Sequence, residues 1–150
     1  MVLEKWKKWS QLPCGKALFS FFVGQFAPYT GSIGGKVKEL APGYAIVTLR
    51  ERRRVRNHLK SVHAVALMNL AEMASGLAML SGLKSNIRGI VTSFHIEYLR
   101  KARGFLTARA WCEIPIVVGK TPAQVPVEIM NSQGEIVARA TATWLLDLKQ

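Results

Sequence analysis

A single carboxylate, Glu72, stands inside a long apolar segment of the sequence. Residues 62–83 are almost unbrokenly apolar, rich in small side chains and free of proline, and they also contain His63 and Asn69. Ionising a carboxylate in apolar surroundings is costly unless it is paired or solvated, so we expect the pKa of Glu72 to be raised. A carboxylate of raised pKa suits a general base or a nucleophile that works near neutral pH.

A helix over this segment places Glu72 in a narrow polar stripe. At about 100° per residue, Asn69, Glu72 and Gly76 fall within roughly 60° of one another on the helix surface. The glycine leaves a gap beside the carboxylate. The competing interpretation is that Glu72 lies on a solvent-facing edge of the helix, or that it pairs with Arg88 or Arg100.

Asn57 and His63 lie before or at the start of this helix. The unpaired N–H groups and the positive dipole end found there favour an oxyanion, although a neutral His63 bonded to a loop carbonyl is the alternative. His63 and Glu72 are half a turn apart around the axis and roughly 13 Å apart along it. They cannot act on one small group within one chain, so a shared site requires a symmetric dimer with two antiparallel helices side by side.

The remaining elements are read from periodicity and turn signals. The central helix is expected at residues 61–82, with Ser61 as its N-cap and Gly82 as its stop. Residues 1–27 form an N-terminal helical segment, broken near Pro13 and stopped by Pro28. Strands are expected at residues 33–40, 44–55, 89–98, 105–114, 124–130 and 135–146.

This order of elements predicts an α+β fold in one domain, residues 1–150. A curved antiparallel β-sheet wraps around one long central α-helix, which explains why that helix is apolar nearly all round. A doubly wound parallel sheet is excluded, because the turns after the helix are too short for crossover connections.

The charge of the chain limits the classes of partner that we expect. Lys and Arg total 21 against 9 for Asp and Glu, a net charge of +12, which attracts nucleic acid, anionic lipid or phosphorylated molecules such as coenzyme A. Nucleic acid is not expected, because the sequence lacks interleaved stacking aromatics and a helix-turn-helix pattern.

The cysteines and histidines indicate neither a disulfide nor a metal site. Cys14 and Cys112 are far apart and outside any CxxC spacing, and the three histidines form no HxxxH or HExxH pattern, so we expect free thiols, no bound metal and a reducing, cytoplasmic location.

The N-terminal segment raises the question of a membrane. Its apolar run, residues 17–23, is shorter than the ~20 residues needed to span a bilayer. Trp6 and Trp9 among lysines allow a weak association with a membrane surface, and the competing expectation is a helix folded back on its own domain.

The residues around the helix start carry a resemblance to a known family. The pattern Asn57, His63-Ala64-Val65-Ala66, Leu70-Ala71-Glu72 and Gly76 resembles the hotdog-fold acyl-CoA thioesterases, most closely the phenylacetate-pathway and hydroxybenzoyl-CoA groups. Their signature places Asn or Gln, then HGG, then an acidic residue inside the helix. The segments APYTGSIGGKVKELAPGYAIV and RNHLKSVHAVALMNLAE resemble an uncharacterised branch, a domain of unknown function, and the likeness spans residues 15–148.

The resemblance implies a thioester hydrolase without a cofactor, coenzyme A being part of the substrate. Glu72 matches the catalytic carboxylate, and Asn57 matches the residue that places the water or the substrate carbonyl. His63 matches the histidine of HGG, and Val65 matches its second glycine, whose backbone N–H polarises the thioester carbonyl.

Two departures from the signature leave a second function open. HGG has become His63-Ala64-Val65, and Gly76 stands where some relatives carry Ser or Thr. A hotdog protein that binds acyl-CoA or acyl carrier protein without cleaving it is therefore the alternative.

The resemblance also implies partners. The family binds coenzyme A phosphates near a subunit interface, in a homodimer or a homotetramer. The candidates for phosphate contacts are Arg53, Arg54, Arg100, Lys101 and Arg103; the alternative is a solvated basic face.

Overall fold

Six antiparallel strands form one sheet, and a single long helix packs across all of them. The computed structural model describes residues 2–149, so positions 1 and 150 of the expected domain lie outside the described residues. The helices are α1 (Val2–Trp9), α2 (Gly15–Phe26), α3 (Pro28–Gly31) and α4 (Ala64–Gly82). The strands are β1 (Lys36–Ala41), β2 (Tyr44–Arg50), β3 (Ile87–Tyr98), β4 (Phe105–Trp111), β5 (Thr121–Met130) and β6 (Ile136–Leu148). The predicted α+β class, a sheet around one central helix, is confirmed.

The strand order in the sheet is β1-β2-β4-β5-β6-β3. Two tight hairpins, β1–β2 and β5–β6, join neighbours in the sequence. Their turns contain Gly43 and Gly134, whose φ angles of +72° and +79° favour glycine over other residues. Within the described residues, β1 and β3 are the edge strands.

Helix α4 is the centre of the core. Its 19 residues are mostly alanine, glycine, leucine and methionine, and Leu70, Ala71, Ala74, Ala78 and Met79 are fully buried. Small side chains let the sheet approach the helix closely. By length and composition α4 resembles a membrane span, yet 67% of its apolar window is buried inside the fold. We therefore interpret it as the core helix of the domain.

The start of α4 differs from the expected one. His63 is the N-cap, and the helix begins at Ala64, because the Ser61 hydroxyl instead bonds Asn57 within a tight loop. That loop is closed by a bridge between Arg56 and Val62.

Several strand ends also differ. The β2 strand stops at Arg50, not at residue 55, since a 3₁₀ turn forms at Arg53–Val55, and β4 stops at Trp111 rather than at residue 114. The first strand begins at Lys36 rather than at residue 33. The last begins at Ile136 and continues to Leu148, two residues past its expected end.

The N-terminal helices fold back on the domain, as one of the two expectations held. Trp6 of α1 is buried against Phe19 of α2, with ring centroids 5.1 Å apart in an edge-to-face arrangement. Pro28 does not simply stop the segment, because it is the first residue of the short helix α3. Both cysteines are free thiols, as predicted, with Cys14 exposed.

Candidate functional site

Glu72 lies in the middle of α4 on the side that faces α3. Its carboxylate is partly buried and accepts a long hydrogen bond, 3.4 Å, from the Thr30 hydroxyl. Burial raises the pKa of Glu72, and the Thr30 hydrogen bond opposes this only in part. The raised pKa agrees with the expectation for a carboxylate in apolar surroundings. Arg88 and Arg100, the alternative partners, lie beside Asp147 and Glu135 instead.

Two cavities meet at Glu72. The first, which we call the apolar pocket, has a volume of about 140 Å³ and an almost entirely apolar lining. The second, the helix-face groove, has a volume of about 440 Å³ and runs along the exposed side of α4. Glu72 and Thr30 line both, so the carboxylate stands where a ligand in the groove would enter the pocket.

The apolar pocket is built by the N-terminal helices on one side and by α4 and the sheet on the other. Val2, Phe22, Val23 and Phe26 come from α1 and α2. The other wall contains Gly76 of α4 and Trp144 of β6, and the missing side chain of Gly76 leaves room against the indole ring. The Trp144 indole nitrogen is buried and has no hydrogen-bond partner within residues 2–149.

The helix-face groove is lined by residues one and two turns apart on α4, together with α3 and β3. Its lining comprises Tyr29, Thr30, Val65, Met68, Asn69, Glu72, Val91 and Phe94. The buried Asn69 amide donates to the backbone carbonyl of Tyr29 at 3.1 Å, and this bond holds α3 against α4. Asn69 therefore positions Thr30 next to Glu72.

His63 caps α4 through its side chain. Its Nδ1 accepts a hydrogen bond from the backbone N–H of Val65 at 3.1 Å, and its own backbone N–H donates to the carbonyl of Val55. The expected alternative, a histidine bonded to a loop carbonyl through its ring, is not the arrangement seen. The N–H of Val65, expected to polarise a thioester carbonyl, is paired with His63 here.

Asn57 lies away from Glu72 within the chain. Its side-chain oxygen accepts from the N–H groups of Leu59 and Ser61 and from the Ser61 hydroxyl, at 2.9, 3.2 and 3.2 Å. Asn57 lines a third cavity of about 350 Å³, the loop groove, beside the start of α4. Of the predicted catalytic residues, Val65 and Glu72 share a cavity in one chain. They are seven positions apart, about 10 Å along the helix axis.

The predicted phosphate-binding residues come from two neighbouring loops. The backbone bonds from Val62 to Ala102 and from Glu51 to Gly104 hold the 51–62 segment against the 99–104 segment. The Glu51 carboxylate also accepts from the Gly104 N–H and from Arg56, and the Gly104 bond is the main cause that lowers the pKa of Glu51. All five basic candidates, Arg53, Arg54, Arg100, Lys101 and Arg103, are exposed.

Two of these basic side chains line the loop groove. Arg100 and Lys101 line the loop groove with Ser61 and Ala64 at the N-terminus of α4, and Arg100 also lies 3.7 Å from Glu135. Within residues 2–149, no group of three or more His, Cys, Asp or Glu side chains is placed to hold a metal ion.

Thr30 and Trp144 are the site residues that sequence reasoning missed. Thr30 is 42 positions from Glu72, and Trp144 is on the last strand, so no helical or strand spacing connects them to the carboxylate. The sequence signal for Thr30 is its position two residues after Pro28, within the segment that carries the resemblance.

Comparison with known proteins identifies the family. Residues 15–146 match the family described as a domain of unknown function, DUF4442. No curated protein matches the chain. A solved structure described as genomics APC5556 is 35% identical, with 98% of each chain covered and a TM-score of 0.84.

Two further structures share the fold at lower identity. PA5026 from Pseudomonas aeruginosa, described as a probable thioesterase, is 24% identical over 91% of this chain and 97% of its own, with a TM-score of 0.79. The protein smu.793 from Streptococcus mutans, solved with bound acetyl CoA, is 24% identical over 77% of this chain and 90% of its own, with a TM-score of 0.66. The resemblance to hotdog-fold proteins is thereby confirmed. The chain belongs to the DUF4442 family and has the hotdog fold.

Proposed function

We propose that this protein is an acyl-CoA thioesterase that uses Glu72 as its catalytic carboxylate. The observation that carries the proposal is the position of this side chain. Glu72 is partly buried where an apolar pocket meets an open groove, and burial raises its pKa. A carboxylate of that kind accepts a proton from water more readily at neutral pH than an exposed one. Other proteins with this fold are described as thioesterases, and one binds acetyl CoA.

The proposed reaction is direct hydrolysis of the thioester. Glu72 removes a proton from a water molecule whose oxygen attacks the carbonyl carbon, and the carbon–sulfur bond then breaks. Glu72 then gives the proton to the departing sulfur, so that coenzyme A leaves as the thiol and a carboxylic acid remains. The N–H of Val65 stabilises the developing oxyanion once the substrate carbonyl replaces His63 as its acceptor. Asn57 of the loop helps to place the substrate.

The proposed site is shared between two subunits. Val65 and Glu72 face the same way but lie about 10 Å apart along α4, so one carbonyl cannot reach both in one chain. An antiparallel second copy of α4 would bring its own Val65 to Glu72. The exposure of Val65 and Met68, 49% and 37%, agrees with a surface that a second copy covers. The 12-residue edge strand β3 beside it is also open to pairing.

Coenzyme A is expected to lie outside the apolar pocket. The loop groove offers Arg100 and Lys101 next to the N-terminus of α4, where phosphate groups are favoured. Arg53, Arg54 and Arg103 on the adjoining loops extend this basic surface. The acyl group would enter the apolar pocket beyond Glu72.

The test is thiol release from short, long and aromatic acyl-CoAs by the wild type, by Glu72→Gln and by a matched control. Glu39→Gln is the control, because Glu39 is an exposed carboxylate on β1. We expect Glu72→Gln to lose about 10²-fold or more in turnover, as general acid–base residues typically do, and the control to match the wild type. Equal turnover by Glu72→Gln and the wild type would refute the role of Glu72.

Subunit mixing tests the shared site. Glu72→Gln removes the catalytic carboxylate, and Val65→Pro removes the backbone N–H that would bind the oxyanion. Proline is tolerated in the first helical turn although it lacks this N–H. A mixed dimer has one intact site if the two groups come from different chains, so random mixing should restore about a quarter of wild-type activity. No restoration in proven mixed dimers would mean that each site is built from one chain.

One observation favours a second candidate, an acyl-CoA or acyl carrier protein binder without turnover. The Val65 N–H and the Asn57 side-chain oxygen both have partners in the N-terminal loop of α4. If these bonds persist with ligand bound, the carbonyl is not polarised. Saturable acyl-CoA binding by the wild type and Glu72→Gln alike, with no thiol release, would establish the binder.

A further inference from the structure

The N-terminal helices present an apolar surface that the core does not use. Leu12, Leu18, Phe21 and Phe26 are exposed to 54%, 51%, 61% and 82%. We call these four residues the N-terminal apolar face. Leu12 lies beside Gly15, one helical turn before Leu18, so that the first three positions adjoin.

Packing within the domain does not account for this face. The side of α2 opposite Phe21 carries Phe19, which is fully buried against Trp6 and packs edge to face with Trp9. The core therefore covers the side of α2 that carries Phe19 and leaves Leu18 and Phe21 open. Phe26, seven positions after Phe19 and on nearly the same side, is exposed because it is the last residue of the helix. Adjoining large apolar side chains at the surface of a domain commonly mark an interaction site.

The charges around the face indicate what covers it. Lys7 and Lys8 are exposed on α1, the helix that packs against α2. The ammonium group of Lys5 lies 4.1 Å from the centre of the Phe22 ring and so stands between the two helices. Exposed aromatic and leucine side chains with lysines on the neighbouring helix complement a bilayer of anionic lipids, because the apolar groups enter the headgroup boundary while the ammonium groups meet phosphates. The net charge of +12 adds long-range attraction.

The face also adjoins the apolar pocket. Phe26 is the most exposed member of the face and at the same time lines the pocket, and Phe22 beside it lines the pocket too. Phe26 therefore stands at a solvent-exposed edge of the pocket. Phe22, four positions from both Leu18 and Phe26, connects this edge to the rest of the face, so a membrane against the face would bring acyl chains to the edge.

We propose that the N-terminal apolar face docks the protein on anionic lipid bilayers, with the Phe26 edge of the apolar pocket turned toward the lipid. The delivery of acyl chains to the pocket rests on the proposed thioesterase function. The docking does not, because it is measured without any thioester.

The experiment is co-sedimentation of the full chain with phosphatidylcholine vesicles, with and without phosphatidylglycerol. The test variant is Leu18→Ser with Phe21→Ser. The matched control is Ile116→Ser with Val118→Ser, two residues exposed to 88% and 84% in the β4–β5 connection. Thermal unfolding verifies that each variant is folded.

We expect the wild type and the control to bind vesicles that contain phosphatidylglycerol. The Leu18/Phe21 variant should bind at least about tenfold more weakly, because two large apolar side chains no longer enter the interface. Lys7→Gln with Lys8→Gln should weaken binding to the anionic vesicles and make it less dependent on salt.

Three results would overturn the proposal. The first is no binding of the wild type to either vesicle, and the second is an equal loss in the control variant. The third is a Leu18/Phe21 variant that binds vesicles like the wild type but dissociates into monomers by light scattering. That result would assign the face to a second copy of the chain.

Discussion

The replacement Gly76→Ala tests the geometry of the apolar pocket through stability. Gly76 is buried in the interior of α4, and a Cβ atom there would lie 3.5 Å from the Trp144 ring, an ordinary van der Waals distance. Relief of the glycine penalty inside a helix contributes about 1 kcal/mol. Burial of the added methyl group contributes about 0.8 kcal/mol more.

We therefore expect Gly76→Ala to raise the free energy of unfolding by about 1–2 kcal/mol. For a chain of this length the melting temperature should rise by roughly 3–6 °C. Calorimetry and urea denaturation measure both quantities. The same methyl group narrows the pocket, so turnover or binding of the longest acyl-CoA accepted by the wild type should fall relative to shorter ones.

Gly134→Ala is the matched control. Its φ of +79° is unfavourable for alanine, and no atom lies within 4 Å of the new Cβ. This variant should lose about 1 kcal/mol through backbone strain alone. If Gly76→Ala also lost stability, the space between α4 and Trp144 would be smaller than described, and the reasoning about the pocket would be refuted.

Three further variants test single interactions. Burial raises the pKa of Glu72 above its usual 4.5, so the contribution of this carboxyl group to stability is present below pH 4.5 and lost as the pH rises through the folded-state pKa. Over that pH range Glu72→Gln should gain stability relative to the wild type, and free energies of unfolding that change in parallel with pH would contradict this. For Glu51, chiefly the Gly104 bond lowers the pKa, so its contribution is present above pH 4.5 and lost below it; urea unfolding of Glu51→Gln and wild type should therefore converge in acid. His63→Ala removes the acceptor for Val65 and should cost about 1 kcal/mol in urea unfolding, whereas an unchanged midpoint would exclude a capping role.

The fold was predictable because its main signals are local. The apolar helix and the alternating strands follow from periodicity, and the short turns exclude parallel crossovers. The start of α4 was not predictable in the same way. Ser61 and His63 are both acceptable caps, and the choice depends on the loop bonds that Asn57 makes with Ser61.

The site was predictable only in part, for a similar reason. A lone carboxylate in an apolar helix can be recognised from the sequence as a candidate functional residue with a raised pKa. The groups around Glu72 come from distant parts of the chain, Thr30 from α3 and Trp144 from β6. Such neighbours depend on how layers pack, and no spacing in one element encodes them.

The strand order has a consequence for how the chain folds. The long strand β3 follows α4 directly but pairs with β6, through partners about 40 to 60 positions later in the sequence. During synthesis β3 emerges while its only described neighbour in the sheet does not yet exist. Closing this loop is slow and leaves an apolar strand unpaired in the meantime. We therefore expect chaperone dependence and the aggregation of truncated chains to be concentrated at β3. This strand is synthesised directly after α4 but can pair only when β6, the last strand, is complete.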